Sequence, residues 1–146
     1  MYKKILVALE NGPADRQLVP HIAQLARQLG AELLLLHVAD GWAARNFEQL
    51  KLAESAEMRE DIAYLDKTAG QLRGDGLVVT TLLALGNPPN EIVKIAATSG
   101  CDLIALASHG HKLIGDLIHG STIDKVRHNT ALPLLVIGAA TRQPGA

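Results

Sequence analysis

A chain of 146 residues, 48% hydrophobic and 20% charged, is the size of one ordinary globular domain and has enough apolar residues for a real core. Its formal net charge of -1, with no run of Lys and Arg, excludes a polycationic surface and with it bulk attraction to nucleic acid or anionic lipid. A single cysteine, Cys101, excludes an internal disulfide and a cysteine-ligated zinc, and fits a reducing compartment. The N-terminus runs straight into Lys3-Lys4-Ile5-Leu6-Val7, so no leader is expected. No apolar run approaches the ~20 residues of a membrane span, and the expected location is the cytoplasm.

Taken in order, the chain alternates two periodicities. Ile5 to Leu9 is a continuous apolar run, the pattern of a strand buried on both faces. Glu10-Asn11-Gly12-Pro13 is a turn. Leu18, Ile22, Leu25 and Leu29 then recur at four, three and four, one face of a helix. Pro20 lies inside that pattern, so the helix starts near Gln17 or bends at the proline, and Gly30 stops it. Glu32 to Val38 is a second strand: its leucines are not β-branched, but a glycine stop on one side and Asp40-Gly41 on the other leave room only for a strand.

Residues from about Ala44 to Arg73 read as a long polar helix, with Met58, Ile62, Leu65, Ala69 and Leu72 as the stripe that packs on the sheet. The region around Trp42 and Phe47 is less periodic and suits a loop folding over something. Gly74-Asp75-Gly76 breaks the helix, and Leu77 to Leu85 is a third strand. Gly86-Asn87-Pro88-Pro89 is a turn, Ile92, Ile95 and Ala96 mark a short helix ending before Gly100, and Asp102 to Ala107 is a fourth strand. A last helix runs from about Ser121 to His128, and Pro133 introduces a fifth strand, Leu134 to Ile137. Residues 1–140 are expected to form the one domain, and the polar residues 141–146 a disordered tail.

Five strands alternating with helices, without repeat or long linker, argue for a parallel sheet with helices on both faces, because each parallel crossover needs a connection of helix length. Ligands in such sheets bind beyond the carboxyl ends of the strands, where the winding reverses. Glu10 to Gly12, Val38 to Asp40 and Ser108 to Gly110 lie at those ends. The stretch from Ser108-His109-Gly110 through nine residues to Gly120-Ser121 reads as a phosphate cradle. Glycines let backbone approach an anion, and a helix opening near Gly120 would offer free N–H groups and the positive end of its dipole. A Walker-type loop and the three-glycine dinucleotide fingerprint are both absent.

Several residues together carry a resemblance: Lys4-Ile5-Leu6-Val7, Ala31-Glu32-Leu33 through Leu36-His37-Val38, Asp102-Leu103-Ile104 with Ser108-His109-Gly110, and Gly120-Ser121 with Pro133-Leu134-Leu135-Val136-Ile137. With these, nearly the whole chain resembles the universal stress proteins, and specifically their ATP-binding subset. That subset has a glycine, two residues, a second glycine, nine residues, and a third glycine followed by Ser or Thr. Gly110, Gly120 and Ser121 match at the required spacing, and Ala107 stands where the first glycine is usual. Glu10 stands where the family usually has Asp.

The resemblance implies a Rossmann-like α/β domain, strand order 3-2-1-4-5, with an adenine nucleotide between the first and fourth strands. It places adenosine against Leu9, Glu10 and Val38 and the phosphates among Gly110, His111, Gly120, Ser121 and Thr122, with Ala8, Ala107 and His109 also in the nucleotide-binding set. Glu10 would touch ribose or a magnesium ion. It also implies a homodimer joined through the last strand, Leu134, Leu135, Val136 and Ile137, an apolar edge of the kind that invites pairing.

Each residue also has a plainer use. Gly110 and Gly120 could be turn and cap glycines, Glu10 a solvated loop carboxylate, His37 a satisfied core histidine, and Cys101 an inert thiol before a buried strand. His109, His111 and His119 lack carboxylate or cysteine partners at helical spacing, which argues against a metal site built on them. Asp116 and His111 could orient a water, but no set of residues supplies water, base and charge stabilisation together. The expected function is a regulatory ATP-binding protein of a stress response. The alternatives are an ATP-independent dimeric interaction module of the same family and a slow adenine-nucleotide hydrolase.

Overall fold

The computed structural model describes residues 1–40, 47–108 and 116–138, with side chains at all of these except 40, 47–55 and 116–121. Five parallel strands, β1 (Lys4–Ala8), β2 (Glu32–Asp40), β3 (Val79–Gly86), β4 (Leu103–Ser108) and β5 (Leu134–Gly138), form one sheet in the order β3-β2-β1-β4-β5. The helices among the described residues are α1 (Asp15–Leu29), α2 (Phe47–Gly74), α3 (Pro88–Thr98) and α4 (Asp116–Asn129). The α/β class and the 3-2-1-4-5 order expected from the resemblance are what the sheet shows.

The continuous apolar strands are explained by two cores, one on each face of the sheet. Ile5, Val7, Leu33, Leu35, Leu103 and Ala105 point to one face and meet Leu18 and Ile22 of α1 and Leu65, Ala69 and Leu72 of α2. Leu6, Leu34, Leu36, Ile104 and Leu106 point to the other and meet Ile92, Ile95 and Ala96 of α3 and Val126 of α4. Alternate residues of each central strand therefore serve opposite cores, and those inside the two cores are apolar.

Register is fixed at the strand starts by Asp102. Its carboxylate accepts the backbone N–H groups of Lys3 at 2.8 Å and Lys4 at 3.1 Å, and its own N–H donates to the Lys4 carbonyl at 2.9 Å. Ile5 thereby lies opposite Leu103, and Val7 opposite Ala105. Since β2 follows on one side of β1 and β4 lies on the other, the loops after β1 and β4 diverge, and the winding reverses between these two strands.

Three helix starts differ from the expectation. α1 begins at Asp15, two residues before Gln17, and keeps Pro20 inside it. The buried Asp15 carboxylate organises its first turn, while the proline leaves one first-turn carbonyl without its usual partner. Gly30 ends the helix as expected, at φ 68° with its N–H on the Ala26 carbonyl. Pro88 and Pro89 open α3 instead of closing a turn, because proline suits the first helical positions and the Asn87 side chain caps the Asn90 N–H at 3.3 Å.

The stripe on α2 also departs from a simple 3.6 repeat. Leu65, Ala69 and Leu72 are buried as expected, but Ile62 is 44% exposed and Asp61 faces inward at 7%. Here the helix meets polar groups at the carboxyl end of the sheet. Finally, α4 starts at Asp116 and not near Ser121, since nothing from Asp116 to His119 breaks a helix. The region near Trp42, His109, Gly110 and His111, and the tail 141–146 lie outside the described residues.

Candidate functional site

A cavity of about 210 Å³ opens at the carboxyl ends of β1, β2 and β4, beside the reversal of winding. Its floor and one side are apolar: Ala8, Leu36, Val38, Leu106 and Ala107 from the strands, Pro88 and Ile92 from α3, and Ile123 from α4. Glu10 and Thr122 of α4 are polar residues of the lining; His37 also borders it, but its ring turns with Leu33 and Leu35 to the other face of the sheet, where it meets Asp61 of α2. A typical small-molecule pocket holds ~300–1,000 Å³, so this cavity suits the buried end of a ligand whose remainder lies outside it. An apolar slot with a few polar groups at the rim suits a planar base with a hydroxylated group attached.

The loop carrying Glu10 is held with unusual completeness. Asp15 accepts the Glu10 N–H at 3.1 Å through one oxygen and 3.2 Å through the other, and the Asn11 N–H at 2.9 Å. Asn11 adopts φ 59°, a left-handed conformation that asparagine tolerates better than most residues. From α2, the Tyr64 hydroxyl donates to Asp15 at 2.5 Å, and Asp61 accepts from the Asn11 side-chain amide at 3.0 Å. Burial, then the adjacent Asp15 carboxylate, pushes the Tyr64 phenol well above its ordinary range. His37 reaches the Leu9 carbonyl with Nδ1 at 2.8 Å and Asp61 with Nε2 at 3.3 Å. In the sequence His37 has the pattern of a core residue, and nothing there marks Asp15, Asp61 or Tyr64 as neighbours of the site.

Of the residues expected at the nucleotide, Ala8, Leu9, Glu10, Val38, Ala107 and Thr122 all line the cavity. Gly120 and Ser121 fall in the second turn of α4, where a backbone N–H is normally committed to the carbonyl four residues earlier. They therefore do not form the mouth of that helix, as the sequence had suggested. Among the described residues, no group of three or more His, Cys, Asp or Glu is arranged to hold a metal. No described helix is long and apolar enough to cross a membrane. Cys101 is buried behind β4, and burial raises its thiol against the opposing effect of Lys4.

The fold and this cavity can be set against known proteins. The model of the universal stress protein family matches residues 1–138. The chain belongs to the universal stress protein family. Universal stress protein MJ0577 of Methanocaldococcus jannaschii is 29% identical over 94% of this chain and 95% of the relative. A solved structure of MJ0577 superposes with a TM-score of 0.81 at 26% identity, covering 97% of this chain and 99% of that one. A universal stress protein of Archaeoglobus fulgidus in complex with dAMP has a TM-score of 0.69 at 19% identity, over 93% of this chain and 98% of the other. Another universal stress protein, in complex with cAMP, also has a TM-score of 0.69, at 16% identity over 95% and 98% of the two chains. These last two show a shared fold.

Proposed function

We propose that this universal stress protein binds an adenine nucleotide, ATP in the first instance, as a regulatory ligand in a cytoplasmic stress response. The observation that carries the proposal is the cavity between β1 and β4: apolar on its floor, with Glu10 and Thr122 at the rim. The purine enters the slot over Ala8 and Val38. The ribose hydroxyls meet Glu10, a carboxylate that can accept two hydrogen bonds. The phosphates extend toward α4 and the residues between β4 and α4, with Thr122 as their described contact. Magnesium would accompany a triphosphate, which needs only one or two protein carboxylates to hold the ion, and Glu10 is the candidate. That relatives of the same fold bind dAMP and cAMP supports an adenine ligand.

The departures at Ala107 and Glu10 favour a second reading, an interaction module that no longer takes the nucleotide. Glu10 is one methylene longer than the aspartate of the family pattern, and Ala107 lines the cavity although its methyl group packs with Leu103 and Ala105 on the face covered by α1 and α2. One experiment separates the two. Purified protein is heat-denatured and the supernatant chromatographed: ATP or another adenine nucleotide at near one per chain supports the first reading. If nothing is released, and added ATP does not bind at millimolar concentration, the second stands.

We also propose that two copies pair through β5. Among the described residues this strand ends the sheet and pairs only with β4, and Val136 on it is 42% exposed, an apolar edge of the kind that invites pairing.

A further inference from the structure

Asn11 is the one asparagine of the chain that a glycine follows. The side-chain carbonyl carbon of an asparagine is open to attack by the backbone nitrogen of the next residue, and glycine, lacking Cβ, hinders that attack least. The other described asparagines are poorly placed for it. Asn87 precedes Pro88, which has no N–H to lose. Asn90 precedes Glu91, whose N–H is held by the Asn87 carbonyl at 3.0 Å. Asn129, whose amide is held by the Lys125 carbonyl at 2.7 Å, precedes the β-branched Thr130. Asn11 is exposed, and the Gly12 N–H has no acceptor among the described residues.

We propose that Asn11 and Gly12 form a deamidation site, a place of spontaneous covalent modification, and that Asp61 guards it. The Gly12 nitrogen bonds to Cγ of Asn11, its proton leaves with the side-chain NH2 group as ammonia, and a cyclic succinimide remains. Water then adds to one of the two imide carbonyls and breaks its bond to the Gly12 nitrogen. Opening at the original backbone carbonyl leaves the chain running through Cγ, an isoaspartate; opening at Cγ leaves an ordinary aspartate. Water is the only co-reactant.

In the folded chain the reacting groups are restrained from two helices. Asn11 Nδ2 donates to Asp61 Oδ1 of α2 at 3.0 Å, and the Asn11 N–H donates to Asp15 of α1 at 2.9 Å. Ring closure needs the side chain to turn until Cγ meets the Gly12 nitrogen, and the bond to Asp61 resists that turn. The reaction therefore draws on molecules in which α2 has let go of the loop, and its rate follows their population. The product no longer fits the clamp. A carboxylate at position 11 has no N–H to offer Asp61, which is only 7% exposed, and meets it as a like charge. Once formed, the modification keeps α2 from closing on the loop again. Glu10 shares Asp15 with Asn11, so the loop loosened is the one that lines the cavity, whatever the cavity binds.

The test uses the full chain, incubated for weeks at neutral pH and physiological temperature, then digested. The mass of each asparagine peptide is followed, and isoaspartate is counted by enzymatic methylation. Asn11 should gain the deamidation mass before Asn87, Asn90 and Asn129, chiefly as isoaspartate. Asp61→Ala should speed the reaction at Asn11 by about fivefold or more, the change in open population that one lost hydrogen bond makes. Asp61→Asn, whose amide oxygen still accepts, should keep the wild-type rate. Tyr64→Phe, which frees α2 from Asp15 without touching Asn11, should also speed it. Gly12→Ala checks the route: an added Cβ meets nothing within 4 Å, so the fold accepts it, yet the reaction should slow several-fold. An Asn11 that outlasts the other asparagines, or reacts as fast in Gly12→Ala, overturns the site. Rates in Asp61→Ala and Tyr64→Phe equal to the wild type overturn the guard.

Discussion

The hydroxyl of Tyr64 donates to the carboxylate of Asp15 at 2.5 Å, a contact that fastens α2 to the first turn of α1 over the loop carrying Glu10. Asp15 is 4% exposed and takes the Glu10 and Asn11 N–H groups as well, so its removal leaves several donors unmade. Asp15→Ala should cost about 3–5 kcal/mol in urea unfolding, and Tyr64→Phe about 1–2 kcal/mol, since Asp15 keeps its backbone partners in the second variant. Equal losses in the two would mean that the carboxylate does not organise the loop.

The same pair gives a pH dependence of definite sign. The folded state favours the protonated phenol of Tyr64, because burial and the Asp15 charge both oppose its ionisation. That contribution is complete below the ordinary phenol value of about 10 and is lost as pH rises past it, when the unfolded chain ionises first. The stability advantage of wild type over Tyr64→Phe should therefore narrow between about pH 9 and about pH 11 in matched unfolding curves. A constant gap would show that the phenol senses neither burial nor Asp15.

At the opposite end of the sheet, Asp102 replaces a missing strand partner for Lys3 and Lys4. Asp102→Ala should cost about 1–3 kcal/mol and loosen the start of β1, read as faster amide exchange at Lys3 and Lys4. Asp102→Asn should recover part of the loss, because its amide oxygen still accepts. Unchanged exchange in Asp102→Ala would remove this role.

Much of this architecture could be read from the chain because burial on both faces leaves no choice of residue. Ile5 to Val7 and Leu103 to Ala107 are apolar at every position, since alternate side chains enter different cores. The sheet order was not visible in that pattern; it came from the family resemblance. The cavity wall was legible at Ala8, Glu10 and Val38 for the same reason. What sequence could not show was the polar cluster. Asp15, Asp61 and Tyr64 look like ordinary helix residues, and only the crossing of α1 and α2 above the loop brings them together. Ile62 was placed in the packed stripe because a helical repeat extrapolates past the edge of the sheet, where the inward position belongs to Asp61. The start of α4 was misplaced because a glycine followed by serine looks like a helix opening, although Gly120 in a helix interior costs only about 1 kcal/mol.

Self-association through β5 has a direct test. Val136→Lys places a charge on an exposed edge position and should convert dimers to monomers in sedimentation, with the melting curve of each domain little changed. A dimer that survives the substitution does not use this edge.

The claim on which the account turns is that the cavity between β1 and β4 takes an adenine base. It is tested most directly by titrating 15N-labelled protein with ATP and magnesium and following the amides that line the cavity. Ala8, Val38, Ala107 and Thr122 should shift together and saturate, while Lys3 and Asp102 at the far end of the sheet stay in place. Amides of the cavity that remain unmoved at millimolar ATP, in a protein already shown to carry no nucleotide, would contradict it.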